Sequence, residues 1–293
     1  LARALGALLL STAFLMACVD ESESVEQSPV PVKGPETEGL AGQIVKFEGE
    51  IFSIPSPVQT AILIKNSGVE YNEELLNDVD NTDRYINQFQ KAMNMGVYGA
   101  DLAYLSNFNN TSMSIDYFNA IDGLADDLGI RNNIDAGILI RFNNNIEISD
   151  SLYSLNAELY REANRYLQDN ERSDAASLIL AGGWIEALNI SIDAAATDEK
   201  IRSRVVEQRS ALESLVTLMG KFDDVQVQNV RDGLEKLVSI YQEMETSYTY
   251  VKPITDADSH TTYLNSKTEV SISDDHLARI KAQVEGIRNT IIG

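Results

Sequence analysis

Cysteine and histidine are scarce in this chain. Its 293 residues include one cysteine and two histidines, and the cysteine, Cys18, lies at the end of an apolar run near the N-terminus. The remainder of the chain therefore has no thiol and can form no disulfide. Classical zinc sites and His–Cys nucleophilic chemistry need more of these residues, so both are excluded.

Recognisable catalytic motifs are also missing. The chain contains no HExxH, ExxH or GxSxG motif, no Walker loop and no dinucleotide-binding glycine motif. Because these motifs are absent and acidic residues are plentiful, an enzymatic reaction would have to rely on carboxylate groups. We predict no cofactor and no metal centre. The sequence leaves open whether the protein is an enzyme, although it favours a non-enzymatic role.

Basic residues are few relative to acidic ones. The chain has 23 Lys and Arg against 45 Asp and Glu, which gives a net charge of −22. So negative a surface argues against nucleic acid as a partner and against direct docking on anionic lipid. Solubility and repulsion from anionic neighbours explain the charge more simply.

The apolar run at residues 4–17 is too short to span a bilayer well, and it fits the core of a signal peptide. It closes with Leu15-Met16-Ala17-Cys18, which resembles the bacterial lipobox, where the cysteine is acylated and becomes the first residue of the mature chain. We therefore predict a signal peptide over residues 1–17 and a lipid anchor on Cys18 that attaches the protein to the membrane. The alternative is an ordinary secretory signal that happens to contain a cysteine.

Residues 18–42 are predicted to form a disordered acidic tether. They contain three prolines and no aromatic residue, and Asp20-Glu21-Ser22-Glu23 follows soon after the cysteine. Such a segment cannot bury enough apolar surface to fold. Acids at this position resemble the surface-export signal of lipoproteins in Bacteroidetes-type bacteria. The predicted location is the outer membrane, facing either the periplasm or the cell surface.

Residues 43–293 are predicted to form a single all-α domain. We expect a multi-helix bundle of about eight or nine antiparallel helices, partly solenoid-like, preceded by a short extended segment at 43–54. Apolar residues recur at helical spacing through most of the domain. The predicted helices are 57–65, 83–108, 113–128, 134–148, 151–170, 175–192, 201–222, 227–248 and 274–291, with a small hairpin within 247–272.

Polar residues before these segments are the predicted helix N-caps, and glycines after them are the predicted stops. The expected N-caps are Ser56, Asn81-Thr82, Ser149-Asp150 and Ser273, and the expected stops are Gly68 and Gly129. The last three helices carry heptad-like apolar spacing, which predicts long helices without internal breaks.

A groove of small residues follows the predicted helix 83–108. Ala92, Gly96, Gly99 and Ala103 lie three or four residues apart and so share one side of the helix. Glycine in a helix interior is unfavourable by up to about 1 kcal/mol. Close approach of a second helix is the expected compensation.

The segment 175–192 is apolar nearly all round and is either a membrane span or a helix buried at the centre of the bundle. Glu186 and the pair Gly182-Gly183 favour the buried helix. Glu186 follows the only tryptophan, Trp184, by two residues. A buried carboxylate has a raised proton affinity, so Glu186 is a candidate acid or ligand. Its alternative role is structural, with an Arg or Tyr partner.

Asp101 is the second candidate carboxylate. Together with Asn94 and Tyr98 it forms a polar stripe at three-to-four spacing beside the small-residue groove. This stripe is either part of a binding site or a buried hydrogen-bond network that fixes the helix register.

Two acidic clusters are weaker candidates for a cation site. Asp78-x-Asp80-x-Thr82 resembles a calcium loop but lacks the required glycine and closing glutamate, so helix capping is favoured. Asp256-x-Asp258-x-His260 has the donor types to hold a metal, but a solvated turn is favoured there.

Three segments carry a resemblance to a family: 94–104 (NMGVYGADLAY), 124–130 (LADDLGI) and 182–186 (GGWIE). They resemble an uncharacterised family of Bacteroidetes-type lipoproteins, and the likeness covers most of residues 50–195. The family has no assigned activity. The resemblance therefore implies a location in the cell envelope and transfers no catalytic residue.

The sequence favours a membrane-tethered, non-enzymatic binding or accessory protein of the cell envelope that presents a helical groove to a protein or a ligand. The alternative is a carboxylate-based enzyme or a cation-dependent ligand binder centred on Glu186 or Asp101, which requires those acids to face one cavity. A structural spacer without a specific ligand is the third hypothesis.

Overall fold

The computed structural model of the chain describes residues 43–47, 49–55, 57–131, 136–145, 148–250, 254–256, 261–263 and 267–293. The chain divides into two units, Leu1–Pro31 and Val32–Gly293. Every described residue lies in the second unit, and the first lies outside the described residues. The predicted signal peptide, Cys18 and the tether therefore also lie outside them.

Ten α-helices make up most of the described residues, and the predicted all-α, multi-helix class is confirmed. The helices are α1 (Pro57–Ser67), α2 (Gln88–Asn107), α3 (Thr111–Asp127), α4 (Ala136–Asn144), α5 (Ser149–Asp169), α6 (Ser173–Ala195), α7 (Glu199–Glu207), α8 (Arg209–Met219), α9 (Val225–Gln242) and α10 (Asp274–Ile292). Two short 3-10 helices, Glu73–Leu75 and Val79–Arg84, lie between α1 and α2.

The extended segment before α1 is a hairpin rather than a single strand. Strand β1 (Gln43–Phe47) pairs antiparallel with β2 (Glu50–Ile54), and Gly49 turns the chain with a φ of 82°. Phe47 packs on Phe222, with ring centroids 5.1 Å apart. The hairpin is thereby fixed to the turn between α8 and α9.

The predicted hairpin between α9 and α10 is confirmed. Strand β3 (Thr246–Thr249) pairs antiparallel with β6 (Lys267–Val270), and β4 (Ile254–Asp256) pairs antiparallel with β5 (Thr261–Tyr263). The pairing brings the end of α9 back to the start of α10.

Helix α6 lies at the centre of the fold. It is long and apolar enough to cross a membrane by length and composition, yet its whole apolar window is buried inside the protein. Every residue from 175 to 192 is buried. The hypothesis of a buried central helix is therefore the one that the structure supports.

Helices α2 and α6 cross with their backbones in contact. A Cβ atom at Gly96 would lie 1.9 Å from the carbonyl oxygen of Ile179, and one at Gly182 would lie 2.0 Å from that of Met93. No side chain larger than hydrogen fits at either position. The small-residue groove of α2 thus receives α6 at Gly96, as the spacing predicts, whereas Ala103 at its far end packs with Val58 and Ala61 of α1.

The start of α2 differs from the prediction. Asn81 and Thr82 lie in a 3-10 helix, and α2 begins later, at a capping box. In this capping box the Asn87 side chain accepts from the backbone N–H of Gln90 at 2.9 Å, and the Gln90 side chain accepts from the backbone N–H of Asn87 at 3.4 Å. Two backbone donors that a helix start leaves open are satisfied by this exchange, which makes Asn87 the N-cap.

Two of the predicted long helices are interrupted. The segment 201–222 divides into α7 and α8 at Gln208, whose backbone N–H bonds to Val205 three residues back. The segment 227–248 leaves the helix after Gln242, and residues 246–249 pair as β3 instead. The apolar spacing continues across both breaks, so spacing alone does not locate them.

The remaining helix ends are close to the expected positions. Gly68 and Gly129 follow α1 and α3 with φ values of 75° and 70°, and Ser273 accepts from the backbone of His276 at the start of α10. Ser149-Asp150 differ, since they are the first residues of α5 and Ile148 is its N-cap. Ser56 lies outside the described residues.

Candidate functional site

Helix α6 divides the candidate residues between its two sides. Successive residues of an α-helix are about 100° apart, so Glu186 lies about 200° around the axis from Trp184. Gly182, one turn before Glu186, lies against α2. The Trp184 side faces a groove, whose floor is formed by Trp184, Ala187, Leu188 and Ser191.

Glu186 is bound by an arginine in the core. The Arg288 guanidinium donates to both carboxylate oxygens, from Nε to Oε2 at 2.6 Å and from Nη2 to Oε1 at 2.8 Å. Nη2 also donates to the carbonyl oxygen of Leu75 at 2.9 Å. The Glu186 side chain is 0% exposed and that of Arg288 is 12% exposed. Glu186 therefore has the arginine partner that its predicted structural role requires.

Asp101 lies beside this pair and is equally buried, with 0% exposure. Its Oδ2 accepts from the backbone N–H of Asn77 at 3.2 Å, whereas its Oδ1 is buried without a hydrogen-bond partner. Burial raises the pKa of Asp101 well above its usual range, and the charge of the neighbouring Glu186 raises it further. A carboxyl group in this environment favours its neutral form.

Asn77 connects Asp101 to the rest of the polar stripe on α2. Its side-chain amide donates to the Tyr85 hydroxyl at 2.9 Å and to Asn94 Oδ1 at 3.2 Å. Asn94 in turn donates to the carbonyl oxygen of Ile291 at 2.9 Å, near the end of α10. The network therefore ties the segment before α2 to α2 and α10.

Tyr98 completes the stripe. Its hydroxyl donates to the carbonyl oxygen of Asp78 at 2.9 Å, and its ring meets Tyr117 edge-on with centroids 5.7 Å apart. Burial raises the pKa of Tyr98 far above its usual range. This phenol is therefore a neutral hydrogen-bond donor and not an acid at physiological pH.

These residues form one polar cluster, which we define as Asn77, Asn94, Tyr98, Asp101, Glu186 and Arg288. The structure thus brings together four of the five predicted site residues, while Trp184 lies on the opposite side of α6. Two members of the cluster, Asn77 and Arg288, were not predicted from the sequence. Arg288 had a detectable signal, because it lies four residues after Val284 and three before Ile291, on the apolar stripe of α10, where a charge requires a buried partner.

A groove of about 560 Å³ lies between α1 and α7, with α6 as its floor. We call it the α1–α7 groove. The Trp184 indole N–H donates to Gln208 Oε1 at 3.1 Å, which fixes the ring at the floor. The walls add apolar side chains, including Leu63 and Val205, and polar ones, including Gln59 and Asn66. Such a surface can hold a molecule with both apolar and hydrogen-bonding parts.

The two acidic clusters receive no support as cation sites. Asp78 caps the 3-10 helix Val79–Arg84 by accepting from the backbone of Asp80 at 3.0 Å, which is the capping role that the sequence favours. Asp256 lies in β4, and Asp258 and His260 lie outside the described residues. Within the part of the chain that the structure describes, no group of three His, Cys, Asp or Glu is placed to hold a metal ion.

Comparisons of the chain with protein-family models, curated proteins and solved structures give no match. The resemblance to a lipoprotein family therefore stays a prediction, and the function has to be inferred from the geometry of the chain itself.

Proposed function

We propose that the protein is a lipid-anchored, non-enzymatic binding or accessory protein of the bacterial cell envelope, and that the α1–α7 groove is its binding site. The observation that carries the proposal is the groove itself, a cleft of about 560 Å³ between two helices with Trp184 at its floor. Ligand-binding clefts in proteins commonly measure about 300–1,000 Å³.

The side chains around the groove favour an uncharged, amphiphilic ligand. Three of its four floor residues are apolar, and amide and hydroxyl groups on its walls, such as Gln59 and Thr60, offer hydrogen bonds to a neutral ligand. Its charged pair, Arg204 and Glu207, forms a salt bridge. The net charge of −22 adds repulsion against anions. Either a small molecule or an apolar segment of an envelope protein has the required chemistry.

The buried state of the two candidate carboxylates supports a non-enzymatic role. Glu186 and Asp101 are both fully buried, and Glu186 is bound on both oxygens by Arg288. Neither acid is among the described residues that line the α1–α7 groove. A substrate in that groove would therefore meet no candidate acid or base from the polar cluster.

Trp184 offers a direct assay because it is the only tryptophan in the chain. We expect n-octyl glucoside, an uncharged amphiphile, to change the Trp184 emission with a saturable dependence at concentrations below its micelle threshold. Thr60→Phe should fill the groove and abolish the change. Thr217→Phe is the matched control, since it adds the same side chain at an exposed site on α8.

Two outcomes would contradict this proposal. One is an emission that does not respond to the amphiphile. The other is a response that survives in Thr60→Phe, because the probe would then bind elsewhere. A protein ligand is tested by pull-down of the native lipidated protein from mildly solubilised membranes. A stoichiometric partner that is lost in Thr60→Phe and kept in Thr217→Phe would support the groove as its docking site.

A further inference from the structure

The polar cluster contains two buried carboxyl groups and one cationic side chain. Asp101 and Glu186 are each 0% exposed. Arg288 is the cation of the cluster; it binds Glu186 directly and acts on Asp101 only through its charge. Two carboxylates and one guanidinium would leave a net negative charge in the core. An uncompensated buried charge is strongly unfavourable, so proteins neutralise such a group by protonation. One of the two acids must therefore carry a proton.

Hydrogen bonding identifies which acid is neutral. Both oxygens of Glu186 accept from Arg288, which stabilises the ionised form. Asp101 has one oxygen, Oδ1, that is buried and receives no donor. The side chain of Glu186 is within hydrogen-bonding reach of Asp101. A proton on Asp101 Oδ1 would satisfy this orphaned atom by donation to the Glu186 carboxylate.

We propose that Asp101 is a neutral carboxylic acid in the folded protein at neutral pH, and that the chain Asp101–Glu186–Arg288 is a proton-dependent latch. The latch would hold the segment 72–87, because the backbone N–H of Asn77 donates to Asp101 and the carbonyl of Leu75 accepts from Arg288. Loss of the proton places a second anion beside Glu186, and the repulsion between the two buried carboxylates destabilises the latch.

The groups around Asp101 do not supply a second positive charge that would balance its ionised form. Arg288 on α10 is already bound to Glu186 on α6. The other titratable groups that face Asp101 are four phenols: two lie before α2, one lies in α2 and one lies in α3. They are Tyr71, Tyr85, Tyr98 and Tyr117. Burial raises the pKa of each phenol, so all four stay neutral when Asp101 ionises.

The sign of the pH dependence follows from the direction of the Asp101 shift. Its pKa in the folded state lies well above the value of 3.8 for an ordinary aspartate. Between these two values the folded protein binds one proton more than the unfolded chain. The folding equilibrium constant therefore falls up to about tenfold per pH unit as the pH rises through this window, and it levels off above the folded pKa.

Asp101→Asn is the decisive variant, because its amide mimics the neutral acid: the carbonyl can accept from Asn77 and the amino group can donate to Glu186. We expect it to fold and to lack the pH-dependent loss. The measurement is urea unfolding of the full-length protein from pH 5 to pH 9. The ratio of folding constants, variant over wild type, should rise with pH by up to about tenfold per unit in the lower part of this range.

Asp116→Asn is the matched control, since Asp116 is an exposed aspartate on α3. Its ratio to wild type should stay flat. Infrared spectra in D₂O at neutral pH give a second readout. The wild type and Asp116→Asn should show the carbonyl band of a protonated carboxyl group, and Asp101→Asn should lack it. A flat ratio for Asp101→Asn, or a wild type without that band, would overturn the proposal.

Discussion

The crossing of α2 and α6 allows a quantitative test of the fold. Gly96→Ala and Gly182→Ala each add one methyl group where a Cβ would lie 1.9 Å or 2.0 Å from a carbonyl oxygen of the facing helix. Moving such a contact out to even the shortest distance that real Cβ atoms show requires the helices to separate by about 1 Å. Neither side can yield by a rotamer change, because the obstructing atoms belong to the backbone.

The expected destabilisation is about 3 kcal/mol for each substitution, the upper end of the range for an overpacked core. We choose the upper end because α2 and α6 form the most extensive helix contact in the fold, and Ala92 and Ala181 near the crossing are fully buried. For a domain of this size, such a loss lowers Tm by about 6–12 °C. Urea unfolding, followed by helical circular dichroism, gives the free energy directly.

Gly123→Ala and Gly286→Ala are the matched controls. Both glycines are exposed in helices, in α3 and α10, and a Cβ there would meet nothing within 4 Å. Alanine should stabilise the protein at each site by about 0.5–1 kcal/mol, since glycine is the weaker helix former. If Gly96→Ala and Gly182→Ala behaved like these two controls, the close crossing of α2 and α6 would be wrong.

Three further expectations concern single side chains. Arg288→Leu should destabilise the protein by about 3–5 kcal/mol in urea unfolding because it leaves the buried Glu186 carboxyl group without its partner, and adding Glu186→Leu should restore part of the loss. Asn87→Ala should cost about 1 kcal/mol in the same assay, since it removes the acceptor for Gln90 at the start of α2. Cys18→Ala should release the protein from the membrane fraction, and unchanged fractionation would refute lipidation.

Much of the helical architecture could be predicted because its signals are local. The stops at Gly68 and Gly129 follow from the positive φ that glycine adopts without strain. The burial of α6 follows from an apolar surface on all sides. The approach of a second helix at Gly96 follows from the need to compensate a helical glycine.

Two of the corrected elements, the break at Gln208 and the strand at residues 246–249, involve contacts that no local pattern records. The break at Gln208 coincides with the bond from Trp184 to its side chain, a contact 24 residues away in sequence. The later start of α2 was recognisable from the pair Asn87 and Gln90, but Asn81-Thr82 offered the same residue types a few positions earlier. At residues 246–249 the apolar spacing predicts a continuing helix, but the chain forms a strand there and pairs with a later strand, β6.

The candidate site was predictable only in part, for the same reason. Asn94, Tyr98 and Asp101 share a side of one helix, so their spacing groups them without any tertiary information. Glu186 joins them through the α2–α6 crossing, and Arg288 arrives from a helix that begins 88 residues after Glu186. Asn77 lies in a segment without periodicity. The α1–α7 groove likewise combines three helices that no sequence pattern relates to one another.

Helix α6 links the two proposals, because it carries the floor of the groove on one side and Glu186 on the other. The Glu186 side is held by the bidentate contact with Arg288 and by the backbone contact at Gly182. A helix fixed in this way cannot tilt without breaking a buried ion pair, so Trp184 and Leu188 form a rigid floor. Any adjustment to a ligand must come from the walls, α1 and α7, which meet each other much less extensively than each meets α6. The groove is therefore preformed at its base and adaptable at its rim, which suits the binding role that we propose for it.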